Sequence, residues 1–392
     1  MQSLTYAIQT TKAYYCLECG KCSAVCPLAR FDGDLLPRRL VEEAITAGVD
    51  ATLAQRLLWA CLTCKRCTEI CPSDVDFIGF IRELRVLARE RGSYAHCTHG
   101  DAVFGWMRVM ANPDLEQDRL AWVGDDLEVS SSSEVLYFVG CLPYYEAFFG
   151  VPEPVGLVSS GGKENKGDAP RFTEIARSTV KLLNQVGIAP KLLADERCCG
   201  HDLLWAGDVE GFKKLAQLNA ELIRESGVKL VVTSCPECYR TLAVDYPRYG
   251  FNLGIPVMHI TQLLAQKLEA GEWTPPQLRG RVTYHDPCRL GRLMGVYEEP
   301  RALIRAAGLE LVEMEHNRSK ALCCGTSCWI ECGYVSRQIQ EQRLKEAQET
   351  GAELLITACH KCQIHFACFL SLSPQKFPKI CNIVSILGGD SA

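Results

Sequence analysis

The chain has 392 residues, 47% hydrophobic and 23% charged, enough to bury a sizeable core in several domains of roughly 100 to 200 residues each. Its formal charge of −5 offers no basic field for nucleic acid or anionic lipid, so no polynucleotide partner is expected. Twenty-three cysteines without a basic, apolar leader at Met1–Thr10 point to a reducing, cytoplasmic setting, and no apolar run reaches the ~18 residues that cross a bilayer. Membrane association is expected only through a partner protein.

The first chemistry-bearing stretch is Cys16-Leu-Glu-Cys19-Gly-Lys-Cys22-Ser-Ala-Val-Cys26-Pro27, repeated as Cys61-Leu-Thr-Cys64-Lys-Arg-Cys67-Thr-Glu-Ile-Cys71-Pro72. This is the run of two-cluster ferredoxins, in which three close thiolates wrap one corner of a cubane and the fourth cysteine reaches the other cluster. The rule assigns Cys16, Cys19, Cys22 and Cys71 to one [4Fe–4S] cluster and Cys61, Cys64, Cys67 and Cys26 to the second. Zinc sites compete poorly, because zinc takes four ligands as two spaced pairs.

Between the runs, Pro37 suits a helix start and Gly48 a helix end, and Thr52 to Trp59 reads as a second helix. Ser73 with Asp76 resembles a capping box for a helix carrying Phe77, Phe80, Ile81, Leu84 and Leu87, which Gly92 ends. Helical or irregular chain follows to Trp122, then a linker from Gly124 to Glu134 with four consecutive serines. Gly156 to Pro170 reads as a surface loop, and Phe172 to Val186 and Phe212 to Ser226 as amphipathic helices. Predicted strands are Val135 to Val139, Leu230 to Thr233, Arg281 to Tyr284 and Leu354 to Thr357, alternating with helices as in parallel α/β sheets.

The second half repeats itself. Cys141, the pair Cys198-Cys199-Gly200 and Cys235-Pro-Glu-Cys238 recur as Cys288, Cys323-Cys324-Gly325 and Cys359-His-Lys-Cys362, and the flanks Glu225 to Cys238 and Glu349 to Cys362 align position for position. Further on, Ile255 to Ile260 aligns with Phe377 to Asn382. Each cassette lies at the carboxyl ends of strands, where α/β sheets collect ligands. An ordinary cubane takes four cysteines, so five with two adjacent suggest a less regular cluster, or a regular one with a spare thiol.

On these residues the chain resembles the heterodisulfide reductase family. Its second half is similar to the cysteine-rich CCG-domain component and its first part to the dicluster ferredoxin component, together similar to the fused form in which one chain carries both. The resemblance covers Tyr15 to Leu387. It implies an α+β multi-domain protein, with a helical two-cluster ferredoxin domain over 1–100, a connector and linker over 101–133, and duplicated α/β CCG domains over 134–275 and 276–392. It implies two noncubane [4Fe–4S] clusters, held by Cys141, Cys198, Cys199, Cys235 and Cys238 and by Cys288, Cys323, Cys324, Cys359 and Cys362. The two together would split, or in reverse form, a small disulfide, and the ferredoxin domain would relay single electrons to them. The donor would be a flavin- and iron–sulfur-containing protein or a membrane b-type cytochrome, since no Gly-x-Gly-x-x-Gly fingerprint follows a strand here. A related arrangement serves flavin-dependent glycolate or lactate oxidases as their electron-conducting component, and a dehydrogenase-to-cytochrome relay is a third reading. Where His360 stands, the family usually has proline. So many clusters suggest anaerobic metabolism.

His285 is a candidate proton donor to a leaving thiolate or a backbone-bonded imidazole at a strand end, and His201 has the same two readings. His259 and His365 read as structural. Lys21, Lys65 and Arg66 are either a docking patch for an acidic partner or solvated charges. Gly200 and Gly325 suit a positive φ or close approach to a cluster. Cys97, Cys328, Cys332, Cys368 and Cys381 are left over as packing residues, with Cys328 and Cys332, as helix neighbours, candidates to lie near the second cluster.

Overall fold

A computed structural model describes residues 3–150, 172–373 and 375–389; the expected loop from Gly156 to Pro170 lies outside them. The N-terminal part is helical, with Leu4–Thr10, Lys21–Val25, Pro37–Thr46, Val49–Leu53, Leu57–Ala60, Arg66–Glu69 and Phe77–Glu90, and Ala102–Val109 beyond it. Pro37 opens its helix at the first turn, where its missing N–H costs nothing. The single helix expected from Thr52 to Trp59 is two short ones. Thr52, Leu57 and Leu58 are all buried, and one straight helix would point them to different faces. Nor does Ser73 form a capping box, because Asp76 is itself the cap, its carboxylate accepting from Gly79 N at 3.0 Å.

Phe77–Glu90 is the spine of the molecule, buried without a break from Phe77 to Ala88. An all-round buried helix must satisfy its polar side chains internally. Arg85 does so by donating to Leu58 O (2.8 Å) and Cys61 O (2.9 Å) on one side and to Trp205 O (2.8 Å) on the other, joining the ferredoxin-like part to the first repeat. Gly207 allows this approach, since a Cβ there would meet the Arg85 backbone at 2.6 Å.

Each repeat is a parallel sheet. β1 (Val135–Phe138), β2 (Leu230–Thr233) and β3 (Val257–His259) lie in that order. In the second repeat β4 (Arg281–His285), β5 (Glu310–Leu311), β6 (Leu354–Thr357) and β7 (Lys379–Asn382) are ordered β5-β4-β6-β7. A lone parallel bridge between Leu136 and Lys191 stands where β5 stands in the second sheet, so the two sheets share one plan. The register corrects the sequence alignment by one residue: Thr233 faces His259 and Thr357 faces Asn382, which pairs His259 with Asn382, not with Cys381.

The repeats also pack crosswise. The helix after β3, Ile260–Glu269, lies against Glu298–Ala306 of the second repeat, and the helix after β7, Ile383–Leu387, lies against Phe172–Gln185 of the first. Exchange of equivalent elements gives the pair an approximate twofold relation, which turns the carboxyl ends of the two central strands toward each other.

Candidate metal centres

In each repeat the five thiols form one unbroken series of neighbouring sulfurs. In the first it runs Cys141, Cys198, Cys199, Cys238, Cys235; in the second Cys288, Cys323, Cys324, Cys362, Cys359. The order is the same position for position. No disulfide forms among them. Local backbone geometry sets this arrangement. Cys235 and Cys359 cap their helices, accepting from Cys238 N and Cys362 N at 3.4 Å each, and Cys198 accepts from Gly200 N at 3.4 Å. Gly200 and Gly325 adopt φ of 82° and 93°, but a Cβ on them would meet Phe212 and Ser336 O, so the close approach is to protein. The glycine that meets a thiol is Gly140, where a Cβ would lie 2.9 Å from Cys238 Sγ at φ 68°.

Buried ion pairs fix the strand ends. Glu196 accepts from Val139 N and Gly140 N while pairing with Arg119 at 2.7 Å. In the second repeat Asp286, two residues before Cys288, pairs with Arg301 at 2.7 Å and accepts from Arg318 N. Charges this deep persist only when paired and hydrogen-bonded.

Between the two cassettes lies a charged junction that no sequence motif announces. Lys361 donates to Asp202 at 2.6 Å and pairs with Glu237 at 2.5 Å, while Trp329 Nε1 donates to the other Asp202 oxygen at 3.1 Å. His201, Asp202 and Glu237 converge closely enough to ligate a cation, and the cation among them is the Lys361 ammonium. His360 lies close enough to Cys235 of the opposite repeat to act on its thiol, with its ring 5.3 Å from Tyr145. His365, expected to be structural, places Nδ1 at 3.4 Å from Cys324 Sγ. Cys328 and Trp329 hold φ of 53° and 57° in succession, and the helix expected to carry Cys328 and Cys332 is absent. That backbone aims Trp329 inward, stacked on Phe149 at 5.3 Å, and leaves Cys328 buried beside Arg85.

His285 sits elsewhere. It is buried, its Nδ1 accepts from Arg343 Nε at 3.1 Å, and its ring meets Phe366 edge-on at 5.0 Å. Burial, then the Arg343 and Arg292 cations, hold its pKa well below the usual range. His201 is also held low, by burial and then Arg289 and Lys361.

The ferredoxin-like thiols reach the second cassette. Cys26 lines one pocket with Cys61, Cys64 and Cys67. Cys16, Cys19 and Cys22 are close enough for their charges to interact, while Cys71, half-buried, accepts from Val75 N at 3.5 Å. Cys67 feels both Cys26 and Cys22, and Cys323 feels Cys64. Arg289 ties this junction, donating to Thr63 O (2.6 Å), Thr63 Oγ1 (2.6 Å) and His201 Nε2 (3.1 Å). Arg292 donates to Cys64 O at 2.5 Å and Ala321 O at 2.6 Å. Lys65 is drawn into this contact through Arg292 O at 3.1 Å, and Lys21 remains exposed.

The donor set suits a polycationic cluster. Burial first, then Cys64 and Cys61, push Cys26 up to about 12, and burial pushes Cys61 up to about 11. Crowded thiolates in such a space need a metal's positive charge.

Residues 12–75 match the 4Fe-4S dicluster domain family, and 165–243 and 282–367 each match the cysteine-rich CCG domain family. One component of the dihydromethanophenazine:CoB–CoM heterodisulfide reductase of Methanosarcina barkeri is 33% identical over 258 residues, 63% of this chain and 57% of that protein. The chain thus matches a little over half the length of those Methanosarcina relatives. A component of the fumarate reductase (CoM/CoB) of Methanothermobacter marburgensis is 25% identical over 96% of this chain and 72% of its own. The EtfAB:quinone oxidoreductase of Syntrophomonas wolfei is 32% identical over 54% of this chain and 32% of its own. Fold and sequence define a protein of the iron–sulfur class, with a 4Fe-4S dicluster domain followed by two cysteine-rich CCG domains. Within that class the chain is similar to the heterodisulfide reductase component of Methanosarcina, and it carries dicluster ferredoxin and CCG parts in one polypeptide. No helix among the described residues is long and apolar enough to cross a membrane.

Proposed function

We propose that the chain is the iron–sulfur component of a heterodisulfide reductase-like complex, in which a small disulfide is reduced, or in reverse formed, between the two cassettes. The observation that carries this reading is the identical order of five thiols in two repeats that face each other across Lys361. Cys16, Cys19, Cys22 and Cys71, and Cys61, Cys64, Cys67 and Cys26, would hold two [4Fe–4S] cubanes, and each five-cysteine cassette a noncubane cluster. Such clusters supply one-electron chemistry and iron sites for sulfur. The protein's own part is positioning. Backbone N–H groups of Gly200, Cys238 and Cys362 point at ligand sulfurs, and Arg289 and Arg292 hold the Cys61–Cys64 loop against the second cassette. We assign the second cassette as the one the ferredoxin domain faces, from the nearness of Cys64 to Cys323.

A second reading, an electron-conducting component that binds no disulfide, is favoured by the relatives described as a quinone oxidoreductase and as a probable membrane-anchored ferredoxin. Anaerobic co-purification with iron, sulfide and flavin analysis separates the two. A flavin- and iron–sulfur-containing partner or a b-type cytochrome, with disulfide turnover, supports the first. In that case Cys71→Ala interrupts donor-driven turnover and leaves dye-driven turnover in place. A hydroxyacid-oxidising flavoprotein partner and no disulfide turnover support the second.

A further inference from the structure

Two thiols outside the eighteen cassette and ferredoxin cysteines share a surface cavity. Cys332 and Cys368 line it with Arg337, Gln340, Glu341, Phe369, Leu372 and Ser373. Cys332 lies just before Tyr334–Glu349, and Cys368 lies on His360–Leu372, which packs against that helix. The Cys368 charge reaches Cys332, and Arg337 acts on both thiols. Cys368 and Arg337 are exposed and Cys332 is half-buried. Glu341 is engaged by Lys345 at 2.6 Å, and Arg337 makes no ion pair among the described residues.

We propose that this cavity is a thiol–disulfide exchange site for small anionic disulfides, with Cys332 and Cys368 as the dithiol and Arg337 as the anchor for a ligand carboxylate. Packing alone explains a buried cysteine; it does not explain two thiols opening with a free guanidinium into one accessible space. One protein thiolate attacks R–S–S–R, a mixed disulfide forms and the first RS− leaves, taking up a proton. The second thiolate then attacks the mixed disulfide and releases the second RS−. The net change is two electrons: the protein dithiol becomes a Cys332–Cys368 disulfide and the small disulfide becomes two thiols. The attacking thiolate must first form. Burial raises the pKa of the half-buried Cys332 thiol and the Arg337 cation opposes it, so the exchange quickens with alkalinity. The product bridge would tie the segment after Cys324 to the helix that begins with His360 and carries Cys362.

The inference is independent of what the clusters do, and its test uses the cluster-loaded protein under anaerobic conditions. The protein is treated with oxidised glutathione, an anionic disulfide, or with cystamine, a cationic one, and then alkylated and mapped by mass spectrometry. The expected result is joint loss of Cys332 and Cys368 as an internal disulfide, with two glutathiones released per chain. Oxidised glutathione should react about tenfold faster than cystamine, and Arg337→Glu should reverse that preference. Cys332→Ser should leave Cys368 as a stable glutathione adduct. Unreactive thiols, separate adducts on each cysteine of the unaltered protein, or equal rates with both reagents would overturn the assignment.

Discussion

The Lys361 ammonium lies 2.5 Å from a Glu237 carboxylate oxygen, and the two residues hold the same place in their repeats, third in Cys-x-x-Cys. Equivalent positions related by an approximate twofold axis meet, and they meet with opposite charge. Duplication supplied the symmetry, and these two side chains break it where the cassettes face.

Removing Lys361 leaves Asp202 and Glu237 buried without their cation. Losing one partner of a buried pair costs several kcal/mol, because the remaining charge has no solvent. Lys361→Met is expected to destabilise the protein by about 3 kcal/mol or more. Adding Glu237→Gln should recover part of this. Thermal melts of the single and double variants check it, and an unchanged melting point for Lys361→Met would count against the junction's structural role.

His360 offers a subtler change. It stands at the first position of its helix, where proline is well tolerated, and Pro236 occupies the equivalent place. His360→Pro should therefore keep the fold and remove the imidazole, with its N–H donor, from beside Cys235. Donors to cluster sulfurs raise reduction potential, so the first cassette's centre should shift to more negative potential while the ferredoxin centres hold. A redox titration followed by electron paramagnetic resonance reads both at once.

His259 caps Ile260–Glu269 through its ring, accepting from Thr261 N at 3.3 Å, and burial holds its pKa down at about 4. A depressed folded-state pKa means the unfolded chain takes the proton first as pH falls. Its stabilising contribution is present above about pH 6.5 and is lost as pH falls toward about 4. By pH 5 the loss is about 2 kcal/mol. His259→Asn keeps a capping acceptor, as Asn382 does in the other repeat, and removes the titration. Its stability relative to the unaltered protein should rise as pH drops from 7 to 5; a constant difference would contradict the argument.

The dicluster and CCG domains were legible in the cysteines alone, because such domains carry their cysteines in short runs of characteristic spacing. Four strands were legible too, Leu230–Thr233 and Leu354–Thr357 among them as short buried apolar runs that end just before a cysteine, whereas β3, β5 and β7 were not. The junction was not. Asp202 and Lys361 are 159 residues apart, and a lone Lys or Asp in sequence reads as a solvated charge. One signal was available, since the aligned repeats already set Glu237 against Lys361. Gly140 carries no such signal, because Pro287 stands at the equivalent place before Cys288. The one-residue slip between His259 and Asn382 arose because weakly similar flanks fix no register, while strand pairing does. His285 attracted attention by its closeness in sequence to Cys288, and its Nδ1 is engaged by Arg343, while His365, far from the pair in sequence, reaches Cys324.

The most direct test of the central reading is Cys324→Ala, purified anaerobically and assayed for iron, cluster spectra and dye-driven disulfide turnover. Cys324 stands mid-series, touching both Cys323 and Cys362, so its loss breaks the second cassette while Cys16 to Cys71 are untouched. The account predicts loss of one CCG-type centre and of turnover, with both ferredoxin signals retained. Full turnover with every cluster intact would contradict it.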